Sequence, residues 1–562
     1  MHITTGLLSI FRDFRVHGAL LWLALLLSMG QAAAQQQATE DQENQEWIAD
    51  TLCTADNRSA DLQQPVSFTF TDAGGNNLRH LEASEAGLTT ADLSRLELAW
   101  AVAFPETSSM RAAPVIIGST IFYNATDSGR VFAFDIDSGC ARWVYEAGSR
   151  LRSSLAYAVI DGRGTLVFGD PRGMVHAVNA ENGEAIWVAS AQASDNQAMI
   201  TGTPVIHDGR IIVPLSGSGV TAGGNPRFEC CVNHGAVTAL DASSGEKLWE
   251  YHTMPTADYN GMVSATGVRQ RGPSGAPIWS TPTIDPQRSQ VYVTTGENTS
   301  HPTTITSDAV IALDLETGEQ KWVFQALEND MWNFGCSGRE TGPNCIILDD
   351  TNAVDFDFGG PAMLVSAGGR ELLIAGQKSG DLWALDPDSG ALVWNQRIGD
   401  GTALGGNHWG VATDSQRAFM TINDPGGMGR NSRPGLYTYF VGTGESSWYY
   451  EVQPDCGPHR SERLRNCESR SGFSATPLSV DGAVITAGLD GRLFVFDSGS
   501  GEILFEYDTV IDFETVNGVE GYGGSIDSHS IAAGSGMVFV GSGYGSFSQV
   551  PGNVLLAFKP SE

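Results

Sequence analysis

The sequence predicts an all-β fold, an eight-bladed β-propeller closed by a strand from its N-terminal side. Three observations predict it: a turn-and-Trp repeat along most of the chain, a strand pair upstream of each copy, and an incomplete last copy whose missing strand lies near the start.

The repeat is an apolar residue, an Asp, a Gly turn, and a Trp four residues past the Gly. It reads AFDIDSGCARW (133–143), AVNAENGEAIW (177–187), ALDASSGEKLW (239–249), ALDLETGEQKW (312–322) and ALDPDSGALVW (384–394). Two weaker copies follow, YFVGTGESSW (439–448) and VFDSGSGEILF (495–505). Asp and Gly make a tight turn between two short strands. The Trp or Phe on the second strand can pack on the next repeat. Upstream pairs such as APVIIGSTIFYNA and ATPLSVDGAVITAG complete four-stranded units, the signature of propeller blades.

Seven copies alone would make a seven-bladed ring. The C-terminus, HSIAAGSGMVFVGSG (529–543) and NVLLAFKP (553–560), holds three more strands and stops where the next turn belongs. LELAWAVAF (96–104) supplies the fourth, with Trp100 in the docking position. That closure removes exposed sheet edges and makes eight blades.

Ahead of the ring, residues 1–34 read as a signal peptide. Arg12 and Arg15 precede the apolar run Ala19–Met29, and Ala32-Ala33-Ala34 offers a cleavage site. The run is short for a membrane span; an uncleaved anchor is the alternative. No later segment is apolar enough to span. Residues 35–95 form an N-terminal segment with a short helical approach to the closing strand, and 96–562 form the propeller. Export implies a periplasmic or secreted protein, where disulfides are the default for its eight cysteines. Cys336–Cys345 and Cys456–Cys467 are natural loop staples, and Cys53–Cys140 would tie the N-terminal segment to the ring. Adjacent Cys230 and Cys231 remain. They bond each other, bond distant partners, or stay free.

The net charge of −33 argues against nucleic acid and anionic membrane surfaces as partners. It would steer a basic electron-transfer partner toward the protein.

In a propeller the first strand of each blade lines the central funnel, and the residue just before it sits at the mouth. Aligning the blades places Arg111, Arg152, Thr201, Trp279, Gly359, His408, Ser474 and Ser528 there. A purely structural repeat would put similar residues at these positions. This set is polar and charged with one Trp, which suits an anionic aromatic ligand.

The repeat, together with FECCVNHGAVTALD (228–241), PIWSTPTID (277–285), TTGENTS (294–300), NDMWNFGC (329–336), DFDFGGPA (355–362) and AGQKSGDLWALD (375–386), resembles the quinoprotein alcohol dehydrogenases. Within them it looks most like the polyvinyl-alcohol dehydrogenases, over about Asn77 to Lys559. The resemblance implies oxidation of an alcohol, small or polymeric, with bound pyrroloquinoline quinone (PQQ). Arg111 and Arg152 would pair with its carboxylates, and Trp279 would stack beneath its ring. A Cys230–Cys231 disulfide would cover the other face. Lys378 would face the reactive carbonyl and stabilise charge growing there. Asn407 and His408 are further contact candidates.

The methanol-type relatives resemble a D-x-W-D pattern with the second Asp as base. Here that place holds Asn333, and an amide cannot take a proton, so Asp330 is the expected base. The family's Ca²⁺ would be held by oxygen ligands, with Glu297, Asn298 and Glu229 as candidates. The chain has no C-x-x-C-H, so a separate cytochrome c or other acceptor would take the electrons. The competing reading is a cofactor-free propeller scaffold of the cell envelope, which needs no charged rim.

Overall fold

The computed structural model describes residues 47–62, 66–68, 77–337, 341–424 and 431–562; the expected signal peptide lies outside them. The chain divides into two compact units, Met1–Leu52 and Cys53–Glu562. In the first, residues 47–51 make a helical turn. The second is a ring of eight antiparallel four-stranded blades, two of them extended by a fifth short strand.

The inner strands are Val115–Ile117, Ala156–Ile160, Val205–His207, Thr283–Asp285, Met363–Ala367, Val411–Thr413, Leu478–Val480 and Ile531–Gly534. We number the blades in this order. The outer strands carry the repeat's aromatic residue. For blade eight that strand is Leu96–Ala103, paired with Val554–Pro560 so that Trp100 lies opposite Ala557. The ring therefore closes with strands from both ends of the propeller, as expected.

The repeat's chemistry explains how blades join. Each docking Trp donates its indole N–H to the turn carbonyl of the next blade. Trp100 reaches Ile136, Trp143 reaches Ala180, Trp187 reaches Ala242, Trp249 reaches Leu315, Trp322 reaches Pro387, Trp394 reaches Val441 and Trp448 reaches Ser498, all at 2.8–3.2 Å. The turn glycine sits under that ring. A Cβ on Gly318 would lie 2.5 Å from the Trp249 ring, and its φ is +73°, a conformation costly for other residues. Phe505, in blade seven, lacks the N–H.

The residues before the closing strand do more than approach it. His80–Leu81 pairs in parallel with Leu478–Val480 of blade seven. The Leu78 carbonyl accepts from Thr413 N–H of blade six, and the Asn77 amide donates to the Pro282 carbonyl and Thr283 Oγ1 of blade four. Arg79 is fully buried and donates to carbonyls of Pro477 and Ile531, in blades seven and eight. This stretch ties together the inner strands of four blades. Two single-turn helices, Ala83–Ala86 and Thr90–Leu93, then lead to the closing strand. All eight cysteines are paired, Cys53–Cys140, Cys230–Cys231, Cys336–Cys345 and Cys456–Cys467.

Trp100 holds the closure, so its truncation should be costly. Trp100→Ala should destabilise by about 3–5 kcal/mol, and Trp100→Phe, which keeps most of the packing, by about 1 kcal/mol from the lost hydrogen bond. Urea unfolding of both variants checks this. Equal midpoints for wild type and Trp100→Ala would contradict the closure.

Candidate active site

The funnel mouth opens into a cavity of about 980 Å³ whose wall includes Arg111, Arg152, Trp279, Glu297, Asp355, Asp357, Lys378, His408, Trp409 and Tyr544. These residues come from segments before the inner strand or after the second strand of different blades, so ring closure assembles them. Six residues expected from the sequence meet here: Arg111, Arg152, Trp279, Glu297, Lys378 and His408.

Trp279 is held at two points of its ring. Its indole N–H donates to Asp357 Oδ2 at 3.0 Å. Gly359 lies against the ring, where a Cβ would come within 2.6 Å of it. Gly359, read from sequence as a rim residue, thus makes room for the aromatic plane. Lys378 Nζ and Arg152 Cζ lie 5.4 and 5.7 Å from the Trp279 centroid.

The cavity is electrically divided. On one side, Arg111 donates to Tyr544 Oη at 2.9 Å and lies 5.4 Å over the Trp409 ring. Arg152 lies 5.8 Å over the same ring. Among the described residues neither guanidinium has a carboxylate within ion-pair distance, and the buried Arg111 Nε has no hydrogen-bond partner. Burial, and then the charge of Arg111, pull the Arg152 pKa down to about 10. Trp409 is anchored by an indole hydrogen bond to the buried Asp527 at 2.8 Å, and His408 stacks on it at 4.8 Å. Burial, then Lys378, lower His408 to about 3, so its ring is neutral.

On the other side sit three buried carboxylates, Glu297, Asp355 and Asp357, with ligand oxygens within 4.8 Å of one another. Lys378 Nζ pairs with Asp355 at 2.8 Å and Asp357 at 3.1 Å. Asp357 also accepts the Glu297 N–H at 2.9 Å, and a Cβ on Gly296 would strike its carboxylate. Against the cost of burial, Lys378 and hydrogen bonding hold the Asp357 pKa down, at about 2. Burial lifts Asp355 and Glu297 well above the carboxylate range, Asp355 against the pull of Lys378. Glu297 Oε1 is buried without a partner.

Other expected site residues lie elsewhere. Asp330 is fully buried behind this wall, with both oxygens accepting backbone amides at 3.0 Å; burial raises it to about 6. Asn298 turns away, bonded to Ser274 and Thr304. Glu229 is on the surface with Tyr259, Arg269 and Arg271, because a salt-bridged hairpin, not the funnel, lies beside it. Asn407 packs against Gly376 and donates to the Gly410 and Thr421 carbonyls. Asn333 donates to the Thr299 and Asn344 carbonyls and accepts from Gly335, a role that needs an amide.

Cys230 and Cys231 bond each other, but both are fully buried. The Gly219 carbonyl lies 3.6 Å from Cys231 Sγ. Val220 and Thr221 of the turn Gly219–Ala222 line the cavity there, not the sulfurs. The disulfide backs the wall instead of forming its surface.

The sequence reading missed Asp355, Asp357, Trp409 and Tyr544. DFDFGGPA, with acids two residues apart just ahead of blade five, held the signal for the first pair.

Comparison with known proteins decides the family. The chain is 31% identical over 514 residues to a Pseudomonas polyvinylalcohol dehydrogenase, covering 89% of this chain and 78% of that protein. The chain belongs to the quinoprotein alcohol dehydrogenase family. A Sphingopyxis polyvinylalcohol dehydrogenase is 32% identical, over 84% of this chain and 73% of the relative. Residues 76–339 match the PQQ family described as "Glucose/ethanol/alcohol dehydrogenase, beta-propeller domain", and 359–554 match "Outer membrane protein assembly factor BamB". The Comamonas testosteroni quinohemoprotein alcohol dehydrogenase superposes with a TM-score of 0.59 at 18% identity, covering 86% of this chain and 79% of that one. A europium-containing methanol dehydrogenase gives 0.63 at 15%, covering 89% and 99%. These two share the fold. As a quinoprotein alcohol dehydrogenase relative, the chain is an oxidoreductase acting on alcohols.

Mass spectrometry of the non-reduced protein should find Cys230 and Cys231 bonded within one peptide. Either one linked to Cys336, Cys345, Cys456 or Cys467 would contradict this wall.

Proposed function

We propose that the chain is an exported, PQQ-dependent dehydrogenase of secondary alcohols, including hydroxyls along a polymer, that passes electrons to a separate cytochrome c or similar acceptor. The observation that carries the reading is the divided cavity around Trp279: two half-buried guanidiniums with no carboxylate at ion-pair distance among the described residues on one side, and a carboxylate cluster with one lysine on the other. A flat, tricarboxylate quinone fits it. Arg111 and Arg152 would take carboxylates, and the face of Trp279 would carry the ring. Glu297 and Asp357 offer oxygen donors, and the orphaned Glu297 Oε1 suits a hard cation, so Ca²⁺ fits there beside Asp355.

When bound, PQQ supplies the two-electron acceptor for the carbinol hydrogen, with Ca²⁺ as Lewis acid. The chain does the rest. Asp355 lines the cavity, and Lys378 beside it favours its ionised form, so it is the group to take the hydroxyl proton. It replaces Asp330 in that role, because both oxygens of Asp330 are already bound to the backbone. Asp357 holds Trp279 and Lys378 in place. Lys378 places positive charge where negative charge develops. Burial of the cavity keeps these charges strong.

Export is supported by the signal-like N-terminus and four disulfides. Among the described residues no helix is long and apolar enough to cross a membrane. The polymer substrate is suggested by the polyvinylalcohol dehydrogenases it is similar to. The assembly-factor match over 359–554 favours a scaffold reading, but that protein's repeat alone does not call for a buried cluster of charges drawn from both halves of the ring.

With PQQ and Ca²⁺ supplied, Asp355→Asn should lower kcat by about 10²–10⁴ while PQQ still binds. Arg152→Ala should weaken PQQ binding, with turnover recovered at saturating cofactor. Dye-linked oxidation of a secondary alcohol, measured against PQQ concentration, separates the two. Wild type that binds no PQQ in the presence of Ca²⁺ would leave the scaffold reading.

A further inference from the structure

We infer that Asp330 is a positioning residue that sets the geometry of the carboxylate cluster through the backbone on both sides of it. The inference rests on the proposed PQQ and Ca²⁺ reading for its catalytic consequence, though not for its structural one.

Asp355 has φ +60°, a left-handed backbone that Asp adopts more readily than most residues and that hydrogen bonds on either side can fix. The holding group is visible. Val354 N–H donates to Asp330 Oδ1 and Phe356 N–H to Asp330 Oδ2, both at 3.0 Å. The two donors flank Asp355, so one carboxylate grips the turn on either side of it. The turn's next acid is Asp357.

Asp330 reaches the cluster's other limb through its main chain. Its carbonyl accepts the Asn298 N–H at 3.1 Å, and Trp332 N–H returns to the Asn298 carbonyl at 2.8 Å. Asn298 adjoins Glu297. A single residue thus bridges the two segments that carry Glu297, Asp355 and Asp357. Asp330 is itself pinned, since Met331 N–H donates to the Asn352 carbonyl and Asn352 N–H to the Asn329 carbonyl at 2.8 and 2.9 Å.

The residue type follows from this arrangement. Two N–H groups converge on one side chain, so it must offer two acceptors. Asn offers one, and its amide nitrogen would face a donor. Ala offers none and leaves two buried amides unsatisfied. Groups one shell out from a metal site typically alter its affinity or activity by about 10–100-fold.

The test uses the full chain as wild type, Asp330→Asn and Asp330→Ala, with three readouts. Calorimetry with Ca²⁺ should show affinity lower by about 10–100-fold in Asp330→Asn, with PQQ affinity near wild type because Arg111 and Arg152 are untouched. Kinetics should show a fall in kcat with KM for the alcohol little changed. Hydrogen–deuterium exchange should show the peptide around 352–358 slow in wild type and fast in Asp330→Ala, with Trp-docking turns such as 384–394 unaffected. Wild-type Ca²⁺ affinity in both variants, or unchanged exchange around 352–358, would overturn the inference. If wild type binds neither Ca²⁺ nor PQQ, the functional reading fails, and the exchange result alone decides the positioning role.

Discussion

The hydrogen bond from each docking indole to the next blade's turn carbonyl is the constraint on which the rest depends. Each blade is a small sheet that buries its faces only against its neighbours. The Trp–carbonyl bond, with the turn glycine under the ring, fixes the blade-to-blade relation locally and repeats it around the circle. Trp100 makes the same bond from the far end of the sequence to Ile136. With the pairing of its strand to Val554–Pro560, it closes the circle and sets Arg111 of the first blade beside Tyr544 of the last. The cavity is therefore a product of closure and not of any one blade.

Closure brings charges together in a poorly solvated space. Their arrangement decides their protonation. Lys378 pairs with two of the three clustered acids, and Asp357 is further satisfied by the Trp279 indole and the Glu297 amide. It stays ionised. Glu297 and Asp355 have fewer partners, and burial raises them. Burying like charges without enough counter-charge is unfavourable, so this wall favours either a bound cation or a proton. Across the cavity the two arginines pose the converse demand for anions. One ligand with carboxylates at one end, next to a metal at the other, would answer both.

The fold was legible because its instructions are local and repeated. The Asp turn, the positive-φ Gly and the Trp lie within eleven residues, and even the weak copies keep the Gly. The rim residues Arg111, Arg152 and Trp279 were legible by their offset from the first strand of each blade, and Lys378 by its offset after the second. What failed lay where the repeat gives no register. Residues 326–362 form a long insertion between blades four and five. There Asp330 and Asp355 compete on equal terms in sequence, and only hydrogen-bond partners separate a buried backbone clamp from a cavity carboxylate. Glu229 was chosen by its nearness to the adjacent cysteines, but the hairpin beyond them draws it to Arg269 and Arg271. The cysteines paired with each other, yet the four-residue turn Gly219–Ala222, a few residues upstream, covers them.

The most direct measurement is a titration of PQQ into the purified protein in Ca²⁺, followed by addition of a secondary alcohol while the quinone absorbance is recorded. The account predicts one PQQ bound per chain with tryptophan emission quenched, as stacking on Trp279 requires, and conversion of the bound quinone to its reduced form by the alcohol. Absence of binding, or bound quinone that no primary or secondary alcohol reduces, would contradict it.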